Sequence, residues 1–225
     1  MRTQWSWLPF ALALLTSAPA NAQNVRASTH ADGCSTGPQP CYNLTDVQSG
    51  PDLGIYTSTM EAGQLDGFWS RCSTSVSFGR VRTSVAQAGF GVPWLGAATC
   101  SANGGFYDLV AASAPDLAFG TPMTYTAKAT LSTSTPGTQA PYHQISLCIT
   151  LAGQTACSDH SGTVAVRVKT TVGSVMPLVF QVDSAVRADM EVPVMTVGID
   201  KLARLKLSSN KAGANITGQS GYTYK

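Results

Sequence analysis

The chain has 225 residues and carries 14 Lys or Arg against 12 Asp or Glu, a formal net charge of +2. This near-neutral balance argues against nucleic acid as a partner, because phosphate binding needs a concentrated basic surface. The charge is unevenly spread, since residues 23–166 hold five basic and eight acidic side chains, whereas residues 167–225 hold eight and four. The preferred explanation of the basic C-terminal part is the solvated side of strands, and the alternative is a surface for an acidic polymer.

The first 22 residues have the features of a secretory signal peptide. Arg2 gives a short basic start, the apolar run Trp5–Leu15 follows, and Ala20-Asn21-Ala22 supplies the small residues that signal peptidase requires. A helix of this run rises only about 16 Å, roughly half of the hydrocarbon core, so it is too short for a membrane anchor. We expect cleavage after Ala22, no membrane anchor in the mature chain, and a secreted location, extracellular or periplasmic.

Residues 23–55 are rich in Gly, Pro, Ser, Asn and Asp, which predicts a loop-rich N-terminal segment ahead of a domain at residues 56–225. Six cysteines follow the signal peptide, and an even number in an exported chain indicates three disulfides. No Cys-x-x-Cys pair occurs, so a structural zinc site has little support. Six cysteines allow 15 connectivities, of which we choose nearest-neighbour pairing: Cys34 with Cys41, Cys72 with Cys100, and Cys148 with Cys157. Only the last pair follows from strand geometry, and the connectivity among the other four cysteines stays open.

Further along, apolar residues alternate with polar ones at the period of a half-buried strand. The stretch TSVSFGRVR shows this alternation at Val76, Phe78 and Arg80, and Phe106–Val110 is a short candidate strand after Gly104-Gly105. The clearest pattern is MTYTAKATL, which places on one face of a strand Met123, Tyr125, Ala127, Ala129 and Leu131.

The stretch HQISLCITLAGQTACSDHSG, residues 143–162, predicts a stapled hairpin. Its apolar residues from Ile145 to Leu151 alternate with polar ones, and Ala152-Gly153 can form a two-residue turn. Folding there places Cys148 directly opposite Cys157 at a non-hydrogen-bonded position, where the Cα atoms approach to about 4.5 Å. That distance is at the near edge of what a disulfide spans.

The same stretch contains Asp159, His160 and Ser161, the three residue types of a hydrolytic triad. On an extended chain His160 faces away from its two neighbours, so the three side chains cannot converge. The register also places His143 and His160 diagonally on one face, about 7 Å apart. Because no carboxylate joins them there, we predict rim or hydrogen-bonded histidines rather than a metal site.

The remaining apolar positions continue the strand pattern. Val164, Val166 and Val168 alternate with Ala165, Arg167 and Lys169. Leu178, Phe180 and Val182 follow after Pro177, and the region from 192 to 207 is long enough for two strands. Short β runs at regular spacing with little helical periodicity predict an all-β, disulfide-braced antiparallel β-sandwich in one domain. A jelly-roll-like and an Ig-like topology both remain open.

Motifs for catalysis are missing from the sequence, which has no Gly-x-Ser-x-Gly elbow, His-Glu-x-x-His helix, Walker loop or Gly-x-Gly-x-x-Gly turn. We therefore predict no catalytic residue and no cofactor. Asp46 and Asp52 have oxygens suited to calcium, but turn chemistry explains them equally well and is preferred. Trp69 and Trp94 are either core residues, the commoner fate, or rings that stack on sugars.

Two segments carry a resemblance to a known family. The stretches LAFGTPMTYTAKATL (117–131) and IDKLARLKLSSNKAGANITGQSGYTY (199–224) resemble parts of the secreted β-sandwich proteins that bacteria sort with a PEP-CTERM anchor. The sequence departs from that family at its defining feature, because it ends at Lys225 without Val-Pro-Glu-Pro, a final apolar helix or a basic tail. The resemblance implies a Gram-negative secreted β-sandwich, and it carries no site residue.

Three hypotheses on function follow. The first is a secreted, non-catalytic structural or binding protein of the cell surface or extracellular matrix, with an extracellular polysaccharide or surface polymer as partner. The second is a protein like a carbohydrate-binding module, which uses Trp69 or Trp94. The third is a secreted hydrolase of unrecognised type, for which two carboxylates in one cleft, or His143 beside a carboxylate, would be the sign.

Overall fold

The computed structural model describes residues 24–35, 42–51, 53–63, 68–89, 96–114, 116–134, 142–188 and 197–225. Within these ranges the chain forms strands and turns, and no helix there has the length and apolarity needed to cross a membrane. The strands of the described ranges are β1 Asn24–Ser35, β2 Tyr42–Gly50, β3 Tyr56–Gly63, β4 Phe68–Ser77, β5 Arg80–Gly89, β6 Gly96–Ser113, β7 Pro122–Ser134, β8 Tyr142–Leu151, β9 Gln154–Ser158, β10 Gly162–Thr171, β11 Val175–Ala188, β12 Val197–Ser209 and β13 Asn215–Gly218.

These strands form two antiparallel sheets that pack face to face. The first sheet has the order β2-β1-β6-β11-β8-β9, and β13 pairs with β6 beside that path. The second sheet has the order β10-β7-β12-β5-β4-β3. The chain passes repeatedly from one sheet to the other, for example from β6 to β7 and from β7 to β8, so that both sheets contribute to one core. The predicted all-β antiparallel sandwich is confirmed.

Alternation along the strands builds this core. In β7 the five side chains predicted for one face are buried, whereas Lys128 and Thr130 between them are exposed. The ring of Phe106 lies at the centre, with its centroid 5.4 Å from that of Phe78 and 5.3 Å from that of Phe180. Burial of each such large apolar side chain stabilises the fold by about 1.5 to 3 kcal/mol. The other predicted core residues that are buried are Ile145, Leu147, Ile149, Leu151, Val164, Val166, Val168, Leu178 and Val182.

Two disulfides brace the sandwich as predicted. Cys72 in β4 is bonded to Cys100 in β6, which links the second sheet to the first, and both residues are fully buried. Cys148 in β8 is bonded to Cys157 in β9, with a Cα–Cα distance of 4.2 Å. The third predicted bridge, Cys34 with Cys41, falls outside the described residues.

The β8–β9 hairpin has the predicted register. Leu151 pairs with Gln154 and Cys148 with Cys157. The two turn residues, Ala152 and Gly153, have φ angles of 49° and 80°. Positive φ at both central positions is the signature of a type I′ turn, whose twist matches that of the flanking strands. Ala152 thus adopts a conformation that Asn or Gly would accept more readily.

The prediction of a loop-rich segment at residues 23–55 is wrong for the described part of it. Both β1 and β2 lie there, and β1 is an inner strand that pairs with β2 on one side and β6 on the other. The inward residues of β1 are Val25, Ala27, Thr29 and Ala31, all fully buried. Because most of them are small or polar, they lack the apolar contrast by which sequence patterns indicate a strand.

Two more predictions need correction. The stretch TSVSFGRVR is a hairpin, since β4 ends at Ser77, a turn holds Phe78 and Gly79, and β5 begins at Arg80. The dipeptide Gly104-Gly105 is not a lead-in to a short strand but the middle of β6. A Cβ atom at position 104 would lie 2.6 Å from Val76 Cγ2, so close packing of the two sheets requires glycine there.

A layer of buried polar side chains crosses the sandwich. Ser58, Thr74, Thr83 and Lys201 are register neighbours on β3, β4, β5 and β12, and each is at most 2% exposed. Thr29 of the first sheet joins this layer through a hydrogen bond between its Oγ1 and Ser58 Oγ at 2.7 Å. Burial lowers the pKa of Lys201. The layer separates the main apolar core from a smaller apolar cluster around the Cys72–Cys100 bridge.

The C-terminal residues are held by one buried carboxylate. Asp108 in β6 is fully buried, and its Oδ2 accepts hydrogen bonds from Ser220 Oγ at 2.6 Å and from the Tyr224 hydroxyl at 2.8 Å. Its Oδ1 accepts the backbone N–H of Leu109 at 2.8 Å. Burial and the neighbouring carboxylate raise the pKa of Tyr224, so the phenol keeps the proton that it donates.

Candidate functional site: a basic sheet face

The structure changes the description of the apparent triad. The strand β9 ends at Ser158, and residues 159–161 form a bend rather than an extended strand. His160 therefore does not turn away from Asp159; its Nδ1 lies 2.8 Å from Asp159 Oδ1 and 3.3 Å from Ser158 Oγ. Ser158 cannot be the nucleophile of a triad here, because a triad needs acid and nucleophile on two different ring nitrogens, whereas the Asp159 carboxylate and the Ser158 hydroxyl approach the same one.

The β8–β9 pairing from which the diagonal placement of His143 and His160 was predicted ends before it reaches either residue. The pairing of β8 with β9 stops at Leu147 and Ser158, and His160 lies beyond it in the bend. The side chain of His143 falls outside the described part. No group of three or more His, Cys, Asp or Glu side chains that could hold a metal ion occurs among the described residues.

The turn predicted around Asp46 is replaced by a strand. Asp46 lies in β2, where its Oδ1 accepts a hydrogen bond from Gln48 Nε2 at 3.2 Å. Asp52 is outside the described residues.

The two tryptophans were predicted either to be core residues or to stack on sugars, and the structure describes neither side chain. Trp69 is in β4, paired with Ala88 of β5 and Gly63 of β3, but its side chain is not described. Trp94 lies outside the described residues. Sugar stacking by either ring stays a prediction.

The outer face of the second sheet carries a group of cations contributed by four neighbouring strands. The exposed positions of β10, β7, β12 and β5 alternate with the core positions described above. We call the six exposed basic residues that follow one another across these strands the basic stripe: Lys169, Arg167, Lys128, Lys206, Arg204 and Arg80.

Two contacts within the basic stripe join like charges. Lys128 in β7 is the direct register partner of Lys206 in β12, and Arg204 in β12 is the direct partner of Arg80 in β5. Side chains at such positions have Cβ atoms about 4.5 to 5.5 Å apart, and like charges there destabilise a sheet by on the order of 0.2 to 1 kcal/mol per pair. The stripe therefore lowers the stability of the free protein.

Acidic side chains do not relieve this repulsion within the described structure. Asp200 is the one carboxylate at a described outer position of β10, β7, β12 or β5, and it forms a two-pronged ion pair with Arg82. That pair lies beyond the end of the stripe. No ion pair to any of the six stripe residues occurs among the described side chains.

The middle of the stripe borders a shallow groove between β7 and β12. The side chains that line it are Lys128, Thr130, Ser132, Leu202, Arg204 and Lys206. The groove thus combines three cations with two hydroxyls. Ser132 donates its hydroxyl to the Leu202 carbonyl and Thr130 shares a hydrogen bond with Thr163, so the three cations are the donors that carboxylate or sulfate groups would accept.

The outer face of the first sheet is different. The described outward side chains of β6, β11 and β8 are neutral except for Asp183, whose pKa is raised by burial. Arg26 in β1 is the one Lys or Arg among the described side chains of the first sheet, so most of the positive charge on the described strands lies on the second sheet. An anionic partner would therefore be attracted to the second sheet rather than to the molecule as a whole.

Sequence reasoning detected the excess of basic residues after position 166 but not the stripe. Lys128 and Arg80 come from the part of the chain with more acidic than basic residues, and only the strand order brings them beside Lys206 and Arg204. Two local signals of a charged outer face were present: Arg167 and Lys169 alternate with buried valines, and Lys128 alternates with the buried residues of MTYTAKATL.

The chain matches no model of a known protein family, no curated protein and no solved structure. Fold and surface alone therefore define its class: a disulfide-braced antiparallel β-sandwich with one cationic sheet face.

Proposed function

We propose that this protein is a secreted, non-catalytic structural or binding protein of the bacterial cell surface or extracellular matrix, and that it binds an acidic polymer through the basic stripe. The observation that carries this proposal is the pair of unrelieved like-charge contacts, Lys128 with Lys206 and Arg204 with Arg80. An anionic group placed over either pair converts repulsion into attraction. The stripe is thus better suited to the bound state than to the free state.

Export belongs to the same proposal. The predicted signal peptide at residues 1–22 and the disulfides Cys72–Cys100 and Cys148–Cys157 are both compatible with an oxidising compartment. We expect the mature protein recovered from periplasm or medium to begin at Gln23. N-terminal sequencing that finds Met1 retained would contradict export.

Removal of two stripe cations tests the binding proposal. We expect Lys128→Ser with Arg204→Ser to weaken binding to polygalacturonate by about two- to thirtyfold, from about 0.2 to 1 kcal/mol for each exposed ion pair. The slope of affinity against salt concentration should fall as well. Because each substitution also removes one like-charge contact, the melting temperature should stay equal or rise.

The matched control is Arg26→Ser with Lys225→Ser, which removes the same charge from exposed positions outside the stripe. It should bind polygalacturonate nearly as well as the natural protein, and neutral dextran should bind to none of the variants. Equal weakening in both double variants would show that net charge, not the stripe, attracts the polymer.

A further inference from the structure

The six cations of the basic stripe lie on one oblique line across the second sheet. On β10, Lys169 and Arg167 pair with Thr124 and Thr126 of β7, and Lys128 lies two residues further along that strand. The line then crosses directly from Lys128 to Lys206.

From Lys206 the line advances one two-residue step along β12 to Arg204 and crosses directly to Arg80 on β5. Direct partners are about 5 Å apart, and steps along a strand or to a diagonal neighbour are about 7 to 8 Å. Neighbouring cations along the line are therefore no more than about 8 Å apart, a spacing that neighbouring charges on one polymer chain can match.

The length of the line follows from sheet geometry. It crosses three strand intervals, about 14 Å, and advances six residues along the strands, about 20 Å. The end-to-end distance is then about 25 Å. A line of this length, with one cation every few ångströms and no acidic residue among its described neighbours, is suited to an extended chain with regularly repeated anions rather than to a single small anion.

The side chains beside the line indicate which polymer it is. Hydroxyls flank the cations on the same face: Thr126, Thr130, Ser132, Thr163 and Ser208. Thr130 and Thr163 hydrogen-bond to each other and Ser132 donates to the Leu202 carbonyl, so the Ser132 oxygen is left to accept from sugar hydroxyls. The described outer positions of β10, β7, β12 and β5 hold no aromatic side chain, whereas proteins that bind single-stranded nucleic acid supply aromatic rings for the bases.

We propose that the ligand of the stripe is a linear acidic polysaccharide, with carboxylate or sulfate groups along its length, and that it lies obliquely across β10, β7, β12 and β5. This inference rests on the proposed function and adds the class and direction of the polymer. Affinity for oligogalacturonates of defined size should then rise steeply until the oligomer reaches about 25 Å and change little beyond that length.

A swap of two residues on one strand tests the direction at constant composition. Arg167→Thr with Thr163→Arg moves one cation along the same exposed face of β10, away from the line. We expect this variant to bind long oligomers about 1.5- to fivefold more weakly and to bind digalacturonate as the natural protein does. The control Lys169→Arg with Arg167→Lys keeps both cations in place and should bind as the natural protein does.

The outcomes separate the two proposals. If the swap leaves the affinity for long oligomers unchanged while Lys128→Ser with Arg204→Ser still weakens binding, the oblique track is wrong and the proposed function stands. If the double variant also binds unchanged, the proposed function fails. A single-stranded DNA of equal charge number that displaces the oligogalacturonate at lower concentration would overturn the assignment to polysaccharide.

Discussion

The two described disulfides allow a quantitative test of how the sandwich is braced. Replacing both cysteines of a bridge with Ala removes its restriction of the unfolded chain. For Cys72–Cys100, with a sequence separation of 28, the chain-entropy model gives about 3.6 kcal/mol. For Cys148–Cys157, with a separation of 9, it gives about 2.6 kcal/mol.

Burial enlarges this difference. Both Cys72 and Cys100 are fully buried in the small apolar cluster, so loss of their sulfur atoms also leaves a cavity, which costs on the order of 1 to 2 kcal/mol more. Cys157 is exposed, and its replacement leaves no cavity. We therefore expect the inter-sheet pair to lower the free energy of unfolding by about 5 kcal/mol and the hairpin pair by about 2.5 kcal/mol.

Urea unfolding of the mature protein measures both values, with the slope against urea fitted separately because an uncrosslinked chain exposes more surface. Single Cys→Ala variants serve as controls for side effects of a free thiol. A hairpin variant that is destabilised as much as the inter-sheet variant would refute the reasoning from loop length and burial.

Three further predictions concern the turn, the C-terminal anchor and the buried lysine. Ala152→Asn should raise the free energy of unfolding by about 1 kcal/mol, because Asn tolerates the positive φ of a type I′ turn; an unchanged or lower urea midpoint would contradict this. Asp108→Asn should speed hydrogen exchange of the backbone amides at 216–224, because an amide nitrogen in place of Oδ2 cannot accept the hydrogen bonds of the Ser220 and Tyr224 hydroxyls. Exchange at the same rate as in the natural protein would show that Asp108 does not hold the C-terminal residues. In the natural protein the free energy of unfolding should rise as the pH approaches 10.5, because the lowered pKa of Lys201 lets the native state release a proton that the unfolded chain still binds, and Lys201→Met should remove this rise; an equal rise in both proteins would show that Lys201 does not titrate differently on folding.

The parts of the fold that the sequence predicted are those where large apolar side chains alternate without interruption. Strand β7 and the β8–β9 hairpin have such runs, and the hairpin adds a turn whose two residues determine the register. Prediction failed where the inward side chains are small or polar. Thr29 and Ala31 in β1 give no apolar contrast with their neighbours. Gly104 in β6 suggests a turn in the sequence, but it lies within a strand because the facing sheet leaves no room for a side chain there.

The site was less predictable than the fold for a different physical reason. A cation on an outer face is a local feature, and the alternation in β10 indicated Arg167 and Lys169 correctly. Repulsion between Arg204 and Arg80 depends on which strands are neighbours, and β5 and β12 lie more than a hundred residues apart in the chain. Strand order is not encoded in the period of any one segment, so the line of six cations became visible only in the assembled sheet.

Structural and binding roles are divided between the two faces of the same strands. In β7 the inward Tyr125, Ala127 and Ala129 are buried, while the outward Lys128 belongs to the stripe. The like-charge contacts destabilise the sheet by on the order of 0.4 to 2 kcal/mol in total, less than the contribution of about 3.6 kcal/mol from the inter-sheet disulfide alone. A core fixed by that bridge therefore tolerates an unfavourable outer face. Substitutions along the stripe should alter the affinity for anions without loosening the sandwich, whereas changes at the inward positions of the same strands should do the reverse.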